Sequence, residues 1–400
     1  MESHLSERMK PMNPSAIREI FKFAGLPGMI SFAGGNPSER TFPAQELAEV
    51  SAKLFAEKPT EILQYGISEG YAPLRELTKA RMREKFGVGG DDDEVLMLTG
   101  GQQGMDLALK TLTNEGDAVI VENPSFIGAL NAIRSYRLRM VGVPMDHEGM
   151  NMDALEKALQ ENPDVKLIYT IPTFQNPMGV TMPLARRKRL YELAVQYDVM
   201  IVEDNPYFEL RYYGEDVPCI KSLDKTGHVL FCGSYSKTVS PGLRVGYLVL
   251  HKSLLQKFTV AKQCVDVHSV NLPQMLVYEY IRGYDFDAHV KLCCDIYRVQ
   301  RDLMVSGLKK NLAGLEAQGV RFTQPDGGLF VWVDLPPEKS GYELFERLVE
   351  RKLATVPGST FDPWERRDTP GIRLNFSMPT PEQIESGTKI FGDTIREFLK

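Results

Sequence analysis

Between residues 95 and 250 short apolar runs recur, each closing on polar or turn-forming residues: Val95–Leu98, Ala118–Val121, Leu167–Thr170, Val199–Val202, His228–Cys232 and Tyr247–Leu250. Runs of this length without polar alternation predict strands buried on both faces. Helical spacing falls between and around them. It covers Pro14–Phe23, where Ser15 caps a turn ahead of Ile17, Ile20 and Phe21, then a stretch ending at Phe86, Met105–Leu112, and the residues after Pro183. From Lys252 to about Leu312 the pattern is helical, and the long run from Asp287 is placed to bridge two domains. Beyond it, Gly328–Val333 and Gly371–Phe376 predict strands of a smaller α+β domain. Strands alternating with helices predict an α/β chain with a mostly parallel sheet, whose ligand sits at the carboxyl ends of the strands.

Residues with reactive or charged side chains follow those predicted strand ends. The stretch Gly233–Tyr247 sets Ser234, Ser236, Lys237 and Arg244 among turn formers, directly after an apolar run. A lysine just past a strand end can be partly desolvated, which lowers its pKa and makes its amine a nucleophile toward an aldehyde. Two hydroxyls and a guanidinium suit a phosphate. An amine for an aldehyde beside a phosphate cradle describes a pyridoxal phosphate site. Thr99–Gly104 is a glycine-rich turn opening a helix, which points N–H groups and a positive dipole end at an anion. Other residues are ambiguous on local chemistry alone. Asp204 is a turn cap, Asn176-Pro177 a turn, Tyr65 a half-buried packing residue, Phe126 a core residue and Arg373 an edge-strand charge.

The lysine stretch resembles the cofactor-lysine segment of fold-type I pyridoxal-phosphate aminotransferases of class I/II. The chain is most similar to their aminoadipate/kynurenine/aromatic branch, from about Pro14 to the C-terminal helix. The resemblance implies a large domain of the PLP-dependent transferase fold at 45–290, a small C-terminal domain at 291–400, and a segment at 1–44 that joins the small domain. It assigns Lys237 as the cofactor-bound lysine and proton carrier, Asp204 as the partner of the pyridinium nitrogen, and Tyr207 and Asn176 as partners of the phenolic oxygen. Ser234, Ser236, Arg244 and the backbone N–H groups of Gly101 and Gln102 would hold the phosphate, and Phe126 would stack on the ring. Gly101 stands where many relatives carry serine, and Phe126 lacks the hydroxyl of the tyrosine common there. Gly35 would lie beside the substrate, whose α-carboxylate would meet Arg373 and Asn176. Ser15 and Arg18 would contact the distal carboxylate of glutamate or aminoadipate. Tyr65 would reach the phosphate of a second subunit, in a homodimer with shared active sites.

The implied reaction moves an α-amino group between an amino acid, of aminoadipate, aromatic or branched aliphatic type, and 2-oxoglutarate. Two rival readings fit the same residues. One is β-elimination or decarboxylation on the same cofactor; the other is a regulator with an effector domain of this fold. The pattern begins near Pro14, which argues against a preceding DNA-binding domain.

Composition narrows the class further. With 43% hydrophobic and 25% charged residues the 400-residue chain reads as an ordinary globular protein, and a net charge of −6 argues against nucleic-acid binding. No apolar run is long enough for a membrane span, and the N-terminus has no signal-peptide core. Five cysteines without paired spacing point to free thiols in a cytoplasmic protein, and no metal site is expected. The basic block Arg186–Arg189 is expected on a solvated helix face.

Overall fold

A computed structural model describes residues 4–10, 12 and 27–400. Ser15 and Arg18 lie outside the described residues.

Among the described residues the larger sheet has eight strands, in the order Asp93–Thr99, Val245–His251, Val229–Ser234, Met200–Asp204, Val165–Thr170, Ala118–Asn123, Arg139–Asp146, Gly149–Met150. The five from Val229–Ser234 to Arg139–Asp146 run parallel. Val245–His251 runs antiparallel between Asp93–Thr99 and Val229–Ser234. The apolar runs are continuous because both faces of the sheet are covered. Alternate residues serve opposite cores. Val119, Val121, Val202 and Leu230 pack with Leu107, Leu130 and Phe258 from helices Gly101–Leu112, Ile127–Ser135 and Lys252–Asp266. Ala118, Ile120, Ile201 and Val229 pack with Leu155, Leu190 and Leu193 from helices Met152–Glu161 and Leu184–Gln196.

The bridging helix is Phe286–Leu312, started by the Asp285 carboxylate, which accepts from the Ala288 N–H at 2.9 Å. It packs with the C-terminal helix Pro381–Phe398, whose Thr380 and Gln383 form a capping box. A smaller antiparallel sheet follows in the order Arg321–Phe322, Phe330–Asp334, Gly371–Asn375, Val356–Pro357. Ile30–Ser31 pairs in parallel with Leu353–Ala354, which draws the chain ahead of Gly35 onto this part of the molecule.

Two expectations need correction. The helix after the glycine turn begins at Gly101, not Met105, because Gly100 at φ 78° turns the chain in one residue. Arg187, expected on a solvated face, is fully buried. The helix presents it inward, where its guanidinium donates to the carbonyls of Met182 (2.8 Å), Pro172 (2.9 Å), Val217 and Pro218 (both 3.2 Å) and to Thr173 Oγ1 (2.9 Å). Five acceptors replace the lost water.

Candidate active site

The strand register brings the carboxyl ends Thr99, Ser234, Asp204, Thr170 and Asn123 to one edge of the large sheet. Lys237 lies on the turn after Val229–Ser234. Its Nζ donates to the Gly35 carbonyl at 2.9 Å and stands 5.8 Å from the Tyr207 ring centroid. Among the described residues no carboxylate pairs with it. One face of the lysine stays open, but protein surrounds the rest, and this burial, with Arg244 and Arg373 repelling the charge, lowers its pKa to about 8. A large fraction of the amine is then neutral near pH 8, as a nucleophile or a proton carrier requires.

Asp204 ends its strand with Oδ2 filled by the Tyr169 hydroxyl, which donates at 2.7 Å. Burial raises the carboxyl to about 6, and the tyrosine bond opposes the shift only in part. Glu122, at the end of the neighbouring strand but one, accepts from Thr170 Oγ1 (2.5 Å), Gln175 Nε2 (2.9 Å) and the Ile171 N–H (3.3 Å). Its pKa rises to about 7 through burial, with Asp204 adding to the rise against those three bonds. A buried and a half-buried carboxyl therefore sit close together without a cation among the described residues.

At the other end, Gly100 N-caps the helix whose first residues are Gly101 and Gln102. The Arg244 guanidinium passes over Gly100, within 3.4 Å of the Thr99 carbonyl, and a Cβ on Gly100 would collide with it. Ser234 Oγ donates to Ser236 Oγ at 2.8 Å and accepts from the Ser236 N–H at 3.1 Å. Gln102 Nε2 reaches the Gly128 carbonyl at 2.9 Å, beside Phe126, the N-cap of its own helix. A free helix N-terminus, a guanidinium and serine hydroxyls together form an anion cradle.

Arg373 occupies a strand flanked on both sides and is only 2% exposed. It donates to Asn176 Oδ1 at 2.9 Å and to the Ala33 carbonyl at 2.7 Å, while its Nε has no partner. Its guanidinium lies 4.4 Å from the Phe330 ring centroid and 4.9 Å from that of Phe361. Burial lowers its pKa to about 10, offset in part by Tyr207. Asn176 lies beside Tyr207, whose phenol burial keeps protonated.

These groups suit pyridoxal phosphate: a half-buried amine without a carboxylate partner for its carbonyl carbon, a carboxyl with one free oxygen for its ring nitrogen, and an anion cradle for its phosphate. The profile of the family described as "Aminotransferase class I and II" matches residues 27–390. The chain belongs to that family. This aminotransferase is similar to Aromatic-amino-acid aminotransferase 1 of Thermococcus litoralis, 39% identical over 100% of this chain and 95% of that protein. It is also similar to 2-aminoadipate transaminase of Thermus thermophilus, 39% identical over 96% of this chain and 94% of that one. Kynurenine aminotransferase of Pyrococcus horikoshii, solved in complex with PMP, superposes with a TM-score of 0.95 at 35% identity, covering 100% of this chain and 98% of that one. The enzyme is a pyridoxal-phosphate-dependent transaminase of the aminoadipate/kynurenine/aromatic branch.

In this aminotransferase Gly35, Asn176, Tyr207, Lys237 and Arg373 form one connected group. The anion cradle links to Asp204 through Cys232, whose thiol donates to the Gly101 carbonyl at 3.2 Å. Tyr65 stands apart, 82% exposed and edge-on to His268 at 5.8 Å. Sequence reasoning missed Tyr169, Glu122 and Phe330. It also missed Asp266, which accepts from Thr99 Oγ1 (3.0 Å), Gln103 Nε2 (2.8 Å) and the buried Lys262 (2.7 Å) and so braces the glycine turn from behind. Strand parity was the available signal for Tyr169. It pairs with Val202, so its side chain shares a face with Asp204 two residues on.

Proposed function

We propose that this enzyme transfers the α-amino group of aromatic, aminoadipate-type or branched aliphatic amino acids to 2-oxoglutarate, as a cytoplasmic homodimer. The observation that carries the proposal is a half-buried amine, a half-buried carboxyl and a buried guanidinium, none with an opposite charge among the described residues. When bound, pyridoxal phosphate supplies the aldehyde that receives the amino group and the ring that draws electrons from Cα.

Lys237 Nζ would bind the cofactor at its aldehyde carbon and, once the substrate amine has replaced it there, would carry the proton taken from the substrate Cα. Its lowered pKa makes it both a better leaving amine and a competent base near neutrality. The Asp204 carboxylate would keep the ring nitrogen protonated. Asn176 and Tyr207 would hydrogen-bond the phenolic oxygen. Ser234, Ser236, Arg244 and the N–H groups of Gly101 and Gln102 would hold the phosphate, and Phe126 would cover the ring. Arg373 turns its fork to the α-carboxylate beside Asn176 and Gly35. Ser15 and Arg18 are assigned to a distal carboxylate on the family resemblance alone.

An exposed apolar patch supports the homodimer. Leu63 (74% exposed), Tyr65, Val267 and Val270 (63%) lie on two segments joined by the Gly66 N–H to His268 Nε2 bond at 3.3 Å. Free Cys219, Cys232, Cys264, Cys293 and Cys294 support a reducing compartment. No helix among the described residues is long and apolar enough to cross a membrane. The test is a half-reaction screen. Loss of the bound cofactor's aldehyde-form absorbance on adding phenylalanine, aminoadipate or leucine, restored by 2-oxoglutarate, is expected; release of pyruvate or carbon dioxide instead would overturn transamination.

A further inference from the structure

Tyr169 is fully buried, and its hydroxyl makes one hydrogen bond among the described residues, to Asp204 Oδ2 at 2.7 Å. Burial first, then the nearby Asp204 and Glu122 charges, hold this phenol protonated far above neutrality, so it must donate in that bond. Oδ2 is thereby filled, while Oδ1 has no hydrogen-bond partner among the described residues. The same bond fixes the plane of the carboxylate, because Tyr169 is itself locked by the core around Val121, Val202 and Leu230. We propose that Tyr169 is a positioning residue for the ring nitrogen of pyridoxal phosphate, turning Asp204 so that Oδ1 faces that nitrogen and holds its proton.

The inference rests on the role given to Asp204 above. Besides Tyr169, the groups that face this carboxylate are Glu122 from one strand, Cys232 from another and Tyr207 from the following loop. None is a cation. Glu122 already accepts three hydrogen bonds, and Cys232 is bonded to the Gly101 carbonyl. That leaves Tyr169 to set the orientation of Asp204, and the ring nitrogen to neutralise it.

The test compares equilibrium binding of pyridoxal phosphate with that of its analogue carrying CH in place of the ring nitrogen. Both ligands use the lysine and the phosphate cradle; only one can pair with Asp204. The native protein should prefer pyridoxal phosphate, and Asp204→Asn should abolish the preference. Tyr169→Phe keeps the ring in the core and should cut the preference about tenfold, the scale of one hydrogen bond to a charged group, while leaving affinity for the analogue unchanged. In an Asp204→Asn background the tyrosine change should add nothing. Equal weakening of both ligands would make Tyr169 a packing residue and overturn the proposal. So would an unchanged preference in Tyr169→Phe while Asp204→Asn loses it. Failure of Asp204→Asn to change the preference would instead sink the Asp204 assignment itself. If Tyr169→Phe does not fold, the structure of the native holoenzyme decides: Oδ2 on Tyr169 and Oδ1 on the ring nitrogen are expected, and a tyrosine released from Asp204 overturns the inference.

Discussion

Arg373 and Asn176 meet at 2.9 Å across the boundary between the small sheet and the loop after Val165–Thr170 of the large one. The pair joins the group assigned to the substrate carboxylate with one assigned to the cofactor's phenolic oxygen. One end of the substrate and one edge of the ring are thus referred to the same side chain. Arg373 also bonds the Ala33 carbonyl, two residues before Gly35, whose own carbonyl holds Lys237.

Arg373→Lys keeps the charge but loses the fork, the second donor and the guanidinium's place over the Phe330 ring. We expect kcat/KM for the amino acid to fall by about 100-fold or more, with cofactor affinity nearly unchanged, since the lost bidentate pair is made to substrate only. Steady-state kinetics beside a cofactor titration check this. A comparable loss of cofactor affinity would mean that Arg373 works chiefly by holding Asn176.

Much of this site was legible because its residues follow strand ends, where a parallel sheet gathers them. Lys237, Asp204, Asn176 and the Gly100–Gly101 turn each follow an apolar run, and a short continuous apolar run needs no tertiary knowledge to find. What escaped were residues defined by what lies across from them. Glu122 closes an apolar strand, and nothing local says that Thr170 and Gln175 will converge on it. Lys262 and Asp266 read as an ordinary i, i+4 helix pair, yet they brace the glycine turn from another element. Arg187 was misread for the same reason: composition places a basic block in water, while the five oxygens that bury one member come from three separate segments. Tyr65 went the other way, exposed where a lone tyrosine is expected half buried.

Without cofactor, Asp204 should leave a signature in stability against pH. Its carboxyl titrates at about 6 in the fold against an ordinary 3.8. The folded state therefore binds more protons than the unfolded chain between those values. The contribution is fully present below pH 3.8 and is lost as pH rises through about 6. Asp204→Asn removes it. The stability of the native apoprotein minus that of the variant should fall between pH 5 and pH 7.5, by about 1–2 kcal/mol for a shift of this size. Urea unfolding of both proteins at the two pH values measures the difference. A difference that stays flat or rises with pH would show that the carboxyl is charged throughout and already paired.

The exposed Tyr65 carries the last expectation. Its ring rests edge-on against His268, and Leu63, Val267 and Val270 lie bare around it, so a second copy of the chain would bury the whole patch. If Tyr65 completes the neighbouring phosphate cradle, Tyr65→Ala and Lys237→Ala should each be impaired as homodimers. They should complement when co-expressed. In a hybrid, one site holds the intact Lys237 of the first subunit and the partner's Tyr65, while the other site carries both lesions. Purified through two different tags, the hybrid should recover about half the activity of the native dimer, as two-fold symmetry requires. If Tyr65 served its own subunit, the hybrid would have one site without the lysine and one without the tyrosine, and no activity would return. Full cofactor affinity in the Tyr65→Ala homodimer would remove the phosphate role altogether and leave Tyr65 as interface packing.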